Sequence, residues 1–213
     1  MAQTKGILIV ISGPSGTGKG TVCKELLQQL PYLEFSISAT TRAPREGEVH
    51  GVNYWFTPKE RFQDMIQEKA LLEWAEVYGN YYGTPRNYVL ERLEAGSDVL
   101  LEIDTQGALQ VKESYPDGVF VFLMPPSLTE LRRRIAGRGT ETADVIERRL
   151  QAAEHEVTLA SKYDYVLVND IVADAVAKIK GIVMAEKCRV RRNAALIASM
   201  QKFGDISHTG ELI

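Results

Sequence analysis

Ile7-Leu8-Ile9-Val10-Ile11-Ser12-Gly13-Pro14-Ser15-Gly16-Thr17-Gly18-Lys19-Gly20-Thr21 joins an apolar run to a glycine-rich loop that carries a lysine. The first five residues leave no polar side chain to face water. That is the pattern of a short strand covered on both faces, as in a parallel sheet. From Val22 to Leu30 apolar residues recur with helical spacing, and Pro31 stops the pattern. A strand, a loop with the spacing Gly-x4-Gly-Lys and a helix together form the context of a phosphate-binding P-loop. Its glycines allow consecutive backbone N–H groups to turn inward onto a phosphate chain. The helix N-terminus adds the positive end of its dipole, and Lys19 adds a point charge aimed at the β and γ phosphates. Gly13, Pro14, Ser15, Gly16, Thr17, Gly18, Lys19, Gly20 and Thr21 are therefore the expected nucleotide cradle. The strict pattern places Ser or Thr directly after the lysine to reach Mg²⁺. Here Gly20 stands there and Thr21 follows, which suits a site where nucleotide phosphates and water hold most of the metal's coordination.

Working outward, apolar runs recur at Val99 to Ile103, Val119 to Leu123 and Tyr165 to Val168, with helical patterns at about 107–114 and 128–136 between them. Strands that alternate with helices predict an α/β domain, a parallel sheet with helices on both faces. Between Phe35 and Gly83 the character changes to aromatics and turn residues, including Tyr54-Trp55-Phe56, Trp74 and Gly79 to Gly83. Short alternating segments and one helix at about 58–69 predict a small mixed subdomain inserted into the main sheet. Arg138 to Thr142, polar and set between helical patterns, reads as a flap. A helix is expected from Ala173 to about Gln201.

The whole chain of 213 residues is 45% hydrophobic and 25% charged, ordinary for a globular protein, and its net charge of −3 gives no general reason to bind nucleic acid. Any anion site must come from local basic clusters. Two cysteines without close spacing fit a reducing compartment rather than a disulfide framework. No signal-peptide or membrane-span pattern occurs, so a cytoplasmic location is expected. His50, His155 and His208 are scattered without metal-ligand spacing.

A P-loop alone indicates a nucleotide, not an activity. Further blocks narrow the reading. The segment from Phe35 through Arg42-Ala-Pro-Arg45 to Tyr54-Trp-Phe56 resembles the GMP-binding segment of guanylate kinases. So do Glu73-Trp74-Ala75, Gly79 to Thr84, Glu102-Ile103-Asp104 and Gly137 to Thr142. The blocks stand in the family's order and span about residues 5 to 185. The resemblance implies the P-loop nucleoside monophosphate kinase fold. A core at 1–34 and 98–185 would carry a lid at about 136–146 and a GMP-binding subdomain at about 35–97, with 186–213 as a C-terminal helical extension. It also implies ATP and GMP (and dGMP) as substrates, Mg²⁺ carried with ATP, and a place in purine metabolism and GMP recycling. No nucleic-acid or membrane partner is implied.

By the same resemblance, Arg42, Arg45, Tyr54 and Tyr82 contact the GMP phosphate. Paired arginines suit a dianion because their donor forks match its oxygens. Glu73 and Asp104 match the guanine-reading positions, with Ser38 and Thr84 supplying hydroxyls. Guanine offers two adjacent donors, N1–H and its amino group, to a carboxylate. Adenine would set a lone pair against it and be rejected. Glu73, next to Trp74, could equally be an exposed strand residue on sequence grounds, and Asp104 could read the base, support Mg²⁺ or do both. Arg134, Arg138 and Arg149 match the arginines of the family's lid and its flanking helices, and with Lys19 they form the expected catalytic set. Asn169, after the last predicted strand, is expected near the adenine of ATP. The basic tract Arg189 to Arg192 reads as a solvated helix face. The rival readings are a peptide-binding scaffold of the same fold, which usually has a degraded P-loop, and a kinase of a sugar phosphate, which has no use for the guanine-reading acids.

Overall fold

β1 (Leu8–Ser12) is fully buried along its length, as its unbroken apolar run requires. The computed structural model describes residues 5–77, 79–137 and 143–206, for residues 143 and 202–206 through the backbone alone. β1 leads through the glycine loop into α1 (Lys19–Gln29), followed by β2 (Glu34–Phe35), β3 (Ala39–Thr40), β4 (Trp55–Phe56), α2 (Lys59–Gln67), β5 (Leu71–Val77), β6 (Asn80–Pro85) and α3 (Arg86–Glu94). The chain then returns through β7 (Val99–Glu102), α4 (Thr105–Ser114), β8 (Val119–Met124), α5 (Leu128–Ala136), α6 (Ala143–Thr158), β9 (Tyr165–Val168), α7 (Val172–Lys187) and α8 (Ala194–Ile206).

Five strands form one sheet in the order β2-β7-β1-β8-β9, and every pairing in it is parallel. Alternate residues of β1 serve opposite cores. Ile9 and Ile11 pack with Val22 and Leu26 of α1 and Ala175, Val176, Ile179 and Val183 of α7. Leu8 and Val10 pack with Val89 and Leu93 of α3 and Ala108 and Val111 of α4. Each Val, Leu or Ile side chain among them contributes about 1.5–3 kcal/mol by leaving water. Helices on both faces are thus what the continuous apolar pattern required.

A second, four-stranded sheet in the order β4-β3-β6-β5 lies in the stretch expected to form the inserted subdomain. β5 and β6 form an antiparallel hairpin, and Phe62 of α2 seals the sheet against Ala39 and Leu71. The β5–β6 register shifts between Leu71 and Glu73, and Leu71, Leu72 and Glu73 are all buried. Strict alternation would have left one of the three outside; a bulge re-aims side chains in this way.

Two expectations change at the C-terminal end. The helix predicted from 173 to 201 is broken: α7 ends at Lys187, a 3₁₀ turn spans Val190–Arg192, and α8 starts at Ala194. The basic tract is not a solvated helix face. Glu186 is 2% exposed, accepts a 2.6 Å bond from the Tyr165 hydroxyl, pairs with Arg189 at 2.9 Å, and has Arg192 at 3.6 Å and Arg191 at 3.9 Å. A buried carboxylate needs cationic partners, and the turn folds the arginines back to supply them. No described helix is long and apolar enough to cross a membrane.

Candidate active site

The glycine loop closes over its own lysine. Lys19 Nζ donates to the carbonyls of Gly13 at 2.6 Å and Pro14 at 3.1 Å, and Thr17 Oγ1 donates to Pro14 O at 2.9 Å. Two glycines are demanded by geometry. Gly13 has φ 143°, and a Cβ there would lie 3.1 Å from the Leu123 carbonyl carbon and closer still to its oxygen. Gly18, which begins α1 at φ 88°, would place a Cβ 2.6 Å from the Asn169 amide nitrogen. Asn169 is buried behind the loop, where its Nδ2 donates to Thr17 O at 2.7 Å. Its side chain thereby props the cradle from behind.

Burial lowers the Lys19 ammonium from its ordinary value, while the charges of Glu102, Glu156 and Asp104 work in the opposite direction. Burial in turn raises the Glu102 carboxyl, with Lys19 opposing it, and also raises Glu156. These two acids were missed by the sequence reading as neighbours of the lysine. The register Ile11↔Glu102 explains one of them, since it sets the end of β7 beside the end of β1. Ligands of open parallel sheets collect at such carboxyl ends.

The flanking helices bring two of the expected arginines to the loop. Arg149, from α6, is 8% exposed and donates to Ser15 Oγ at 2.6 Å. Arg134, from α5, donates to Asn169 O at 3.0 Å and Thr17 O at 3.4 Å, and Glu130 anchors its Nε at 2.8 Å. Leu131 and Ile135 of α5 pack on Leu150 and Ala153 of α6, so the two arginine-bearing helices form one unit. Arg138 lies outside the described residues. Arg132 and Arg133 are exposed and paired with Glu147 and Glu130.

In the second sheet Arg42 lies against the rings of Tyr54 and Phe56, its guanidinium carbon 5.5 and 5.9 Å from their centroids. Tyr54 and Tyr82 meet edge to face at 6.0 Å. Both oxygens of Glu48 sit 2.9 Å from Arg42 Nη2, and Glu48 Oε2 also accepts from the Arg45 backbone N–H at 2.7 Å. The hydrogen bond that Arg42 donates to Glu48 raises Arg42, and the same bond lowers Glu48. Glu48, three residues past Arg45, is a residue the sequence reading did not select. The Arg45 side chain is exposed, and Ser38 is half-buried.

Glu73 is 4% exposed, so the exposed-strand alternative is excluded. The hydroxyl of Thr84, a residue 1% exposed, donates to its Oε1 at 2.6 Å. Burial pushes the Glu73 carboxyl up to about 7, against the Thr84 bond and with help from the charge of Asp104. Asp104 stands at the N-cap of α4, where its Oδ1 accepts from Gly107 N at 2.8 Å. The segment from Glu102 to Gly107 therefore links the glycine loop to the second sheet's buried acid. Among the described residues no group of three His, Cys, Asp or Glu is placed to hold a metal ion. With Gly20 after the lysine and Thr21 exposed, the donor set suits a metal coordinated mainly by phosphates and water.

The guanylate kinase family model matches residues 5–186. The chain belongs to the guanylate kinase family. A guanylate kinase of Clostridium tetani is 60% identical over 188 residues, covering 88% of this chain and 90% of that protein. One from Desulfitobacterium hafniense is 58% identical over 192 residues, covering 90% and 96%. The crystal structure of guanylate kinase from Anaplasma phagocytophilum superposes with a TM-score of 0.74 at 35% identity, over 89% of this chain and 90% of that one. The described glycine loop, parallel core and second sheet are thus those of a guanylate kinase fold.

Proposed function

We propose that this guanylate kinase grips its donor in the 13–21 loop and selects its acceptor by a carboxylate, Glu73, that receives guanine's paired N–H groups. The reaction is ATP-dependent phosphorylation of GMP to GDP. The observation that carries the reading of the acceptor is the burial of Glu73 with, among the described residues, only Thr84 hydrogen-bonded to its side chain. A buried carboxylate with unspent acceptor capacity is stabilised by a ligand that brings donors, and guanine brings two. Adenine brings a lone pair to the same place. Asp104 and Ser38 complete the base site. Arg42, Arg45, Tyr54 and Tyr82 hold the acceptor phosphate, with Glu48 orienting the Arg42 fork.

The chemistry needs little beyond position and charge. An oxygen of the GMP phosphate attacks the γ-phosphorus, the bond from that phosphorus to the β–γ bridging oxygen breaks, and ADP leaves. The nucleophile is already an oxyanion, so no general base is required. Lys19 steadies the β and γ oxygens, and Arg134, Arg138 and Arg149 offset the charge that spreads over the transferring group. Asn169 supports the ATP side of the site. Mg²⁺ carried with ATP would supply charge neutralisation at the phosphates, held there mainly by the phosphates and water. We extend the proposal to dGMP as a second acceptor. We assign the lid to about 136–146, the GMP-binding subdomain to about 35–97 and the C-terminal extension to 186–213, and place the enzyme in the cytoplasm, recycling GMP.

Release of ADP measured with GMP, AMP, UMP and no acceptor tests this reading. Wild type turns over with GMP alone. In Glu73→Ala the KM for GMP rises at least about tenfold while the KM for ATP holds, the loss expected when a buried polar partner disappears. An equal rise for both nucleotides would remove Glu73 from base recognition.

A further inference from the structure

Gly107 occupies the third position of α4, inside a helix, where glycine is the least favourable residue apart from proline. Its φ is ordinary, so no backbone conformation demands it. The steric surroundings do. A Cβ at position 107 would lie 2.9 Å from Glu73 Cδ and closer still to Glu73 Oε2, with Glu73 Cγ at 3.4 Å. All three of its nearest neighbours belong to that one side chain. The carboxylate of Glu73 is wedged between the Thr84 hydroxyl on Oε1 and the bare α-carbon of Gly107 on Oε2.

The helix cannot easily withdraw to relieve such a clash. One turn on, Gln110 stitches α4 to the backbone of β5 in both directions: its Nε2 donates to Trp74 O at 2.7 Å, and its Oε1 accepts from Trp74 N at 3.2 Å. Trp74 directly follows Glu73, so the stitch clamps the helix at the point of contact. Gly107 also acts on the second acid, since its N–H is the donor that fixes Asp104 Oδ1 at 2.8 Å.

We infer that Gly107 is a specificity-determining positioning residue of this kinase, which sets the guanine-reading carboxylate by having no side chain. This rests on the reading of Glu73 given above. A methyl group at 107 turns the Glu73 carboxylate out of its slot and away from the base, while the glycine loop and Lys19 stay untouched.

The test is Gly107→Ala, Glu73→Ala and the double variant, assayed for ADP release under varied GMP and varied ATP. Gly107→Ala is expected to raise the KM for GMP by about 10- to 100-fold, the usual consequence of misplacing a recognition group by about 1 Å. Its KM for ATP and its kcat at saturating GMP are expected to stay within about twofold, a split that general loosening of the fold would not give. In the Glu73→Ala background the same glycine change is expected to add less than about twofold, because the side chain it acts through is gone. If Gly107→Ala alone does not fold, the double variant must, since loss of the Glu73 carboxylate frees the space. The inference is overturned if Gly107→Ala leaves the GMP KM unchanged while Glu73→Ala raises it, if the two effects multiply, or if the double variant also fails to fold. If Glu73→Ala leaves the GMP KM unchanged, the underlying reading of the base site fails instead.

Discussion

Raising the pH from 6 to 8 should tighten GMP binding through Glu73, and the size of the effect can be worked from the site. The carboxyl, 4% exposed, titrates at about 7 instead of 4.5 because burial penalises its charge. Only the ionised form offers two acceptors to guanine. The ionised fraction is about one eleventh at pH 6 and about ten elevenths at pH 8, so the apparent KM for GMP falls about tenfold across that interval. The GMP phosphate, with a second pKa near 6, adds about a further twofold through its own dianion. Steady-state kinetics at saturating ATP should therefore show a fall of about twentyfold in wild type. In Glu73→Gln the amide cannot ionise, so a weaker KM should move by about twofold only. The same proton affects stability without nucleotide. A carboxyl whose folded value lies above its unfolded value is protonated more in the folded state, so stability is fully present below about 4.5 and is lost as pH rises through about 7. The loss amounts to roughly 3 kcal/mol. Urea unfolding at pH 5 and pH 8 should show about 2.5 kcal/mol of that loss in wild type, and Glu73→Gln should lack it. A wild-type GMP KM flat within twofold from pH 6 to 8, or a Gln variant that tracks wild type, would refute the reasoning.

Two other outcomes follow from the ion pairs. Arg42→Ala leaves the Glu48 carboxylate facing the acceptor phosphate without its guanidinium, so the KM for GMP should rise by about 10- to 100-fold with ATP affinity unchanged; a loss confined to kcat would place Arg42 elsewhere in the mechanism. Glu186→Ala strands Arg189 and Arg192 around an emptied buried site, and urea unfolding should show a loss of about 2–3 kcal/mol with faster tryptic cleavage in the 189–192 turn. A loss below about 0.5 kcal/mol would mean that the clasp contributes nothing to stability.

The parallel core and the phosphate loop could be read directly because their determinants are local. An unbroken apolar run allows only a strand buried on both faces, and the glycines at 13 and 18 stand where a side chain would strike Leu123 or Asn169. The blocks around Arg42, Glu73 and Asp104 were legible as a set through their order along the chain. What each residue touches was not. Whether Glu73 faced water or the interior depended on a register shift in β5, which no periodicity announces. Asn169, expected near adenine, has its amide on the loop's own carbonyl. The basic tract at 189–192 read as a helix face until the burial of Glu186 gave it a reason to turn back. Glu156 carries no motif of its own, and Glu48 and Glu102 lie inside the family-like blocks without a role that their spacing announces.

The sequence by itself determined the buried strands of the parallel core and the glycine loop that follows the first of them, because those depend on neighbours a few residues apart. Only the tertiary structure decided where the charges lie. Glu73 and Gly107 are separated by a whole α/β unit in the chain, yet they meet in the fold, where the bare α-carbon of the glycine leaves room for the acid's carboxylate. Burial and steric exclusion between distant segments are properties of packing, and a linear pattern does not contain them.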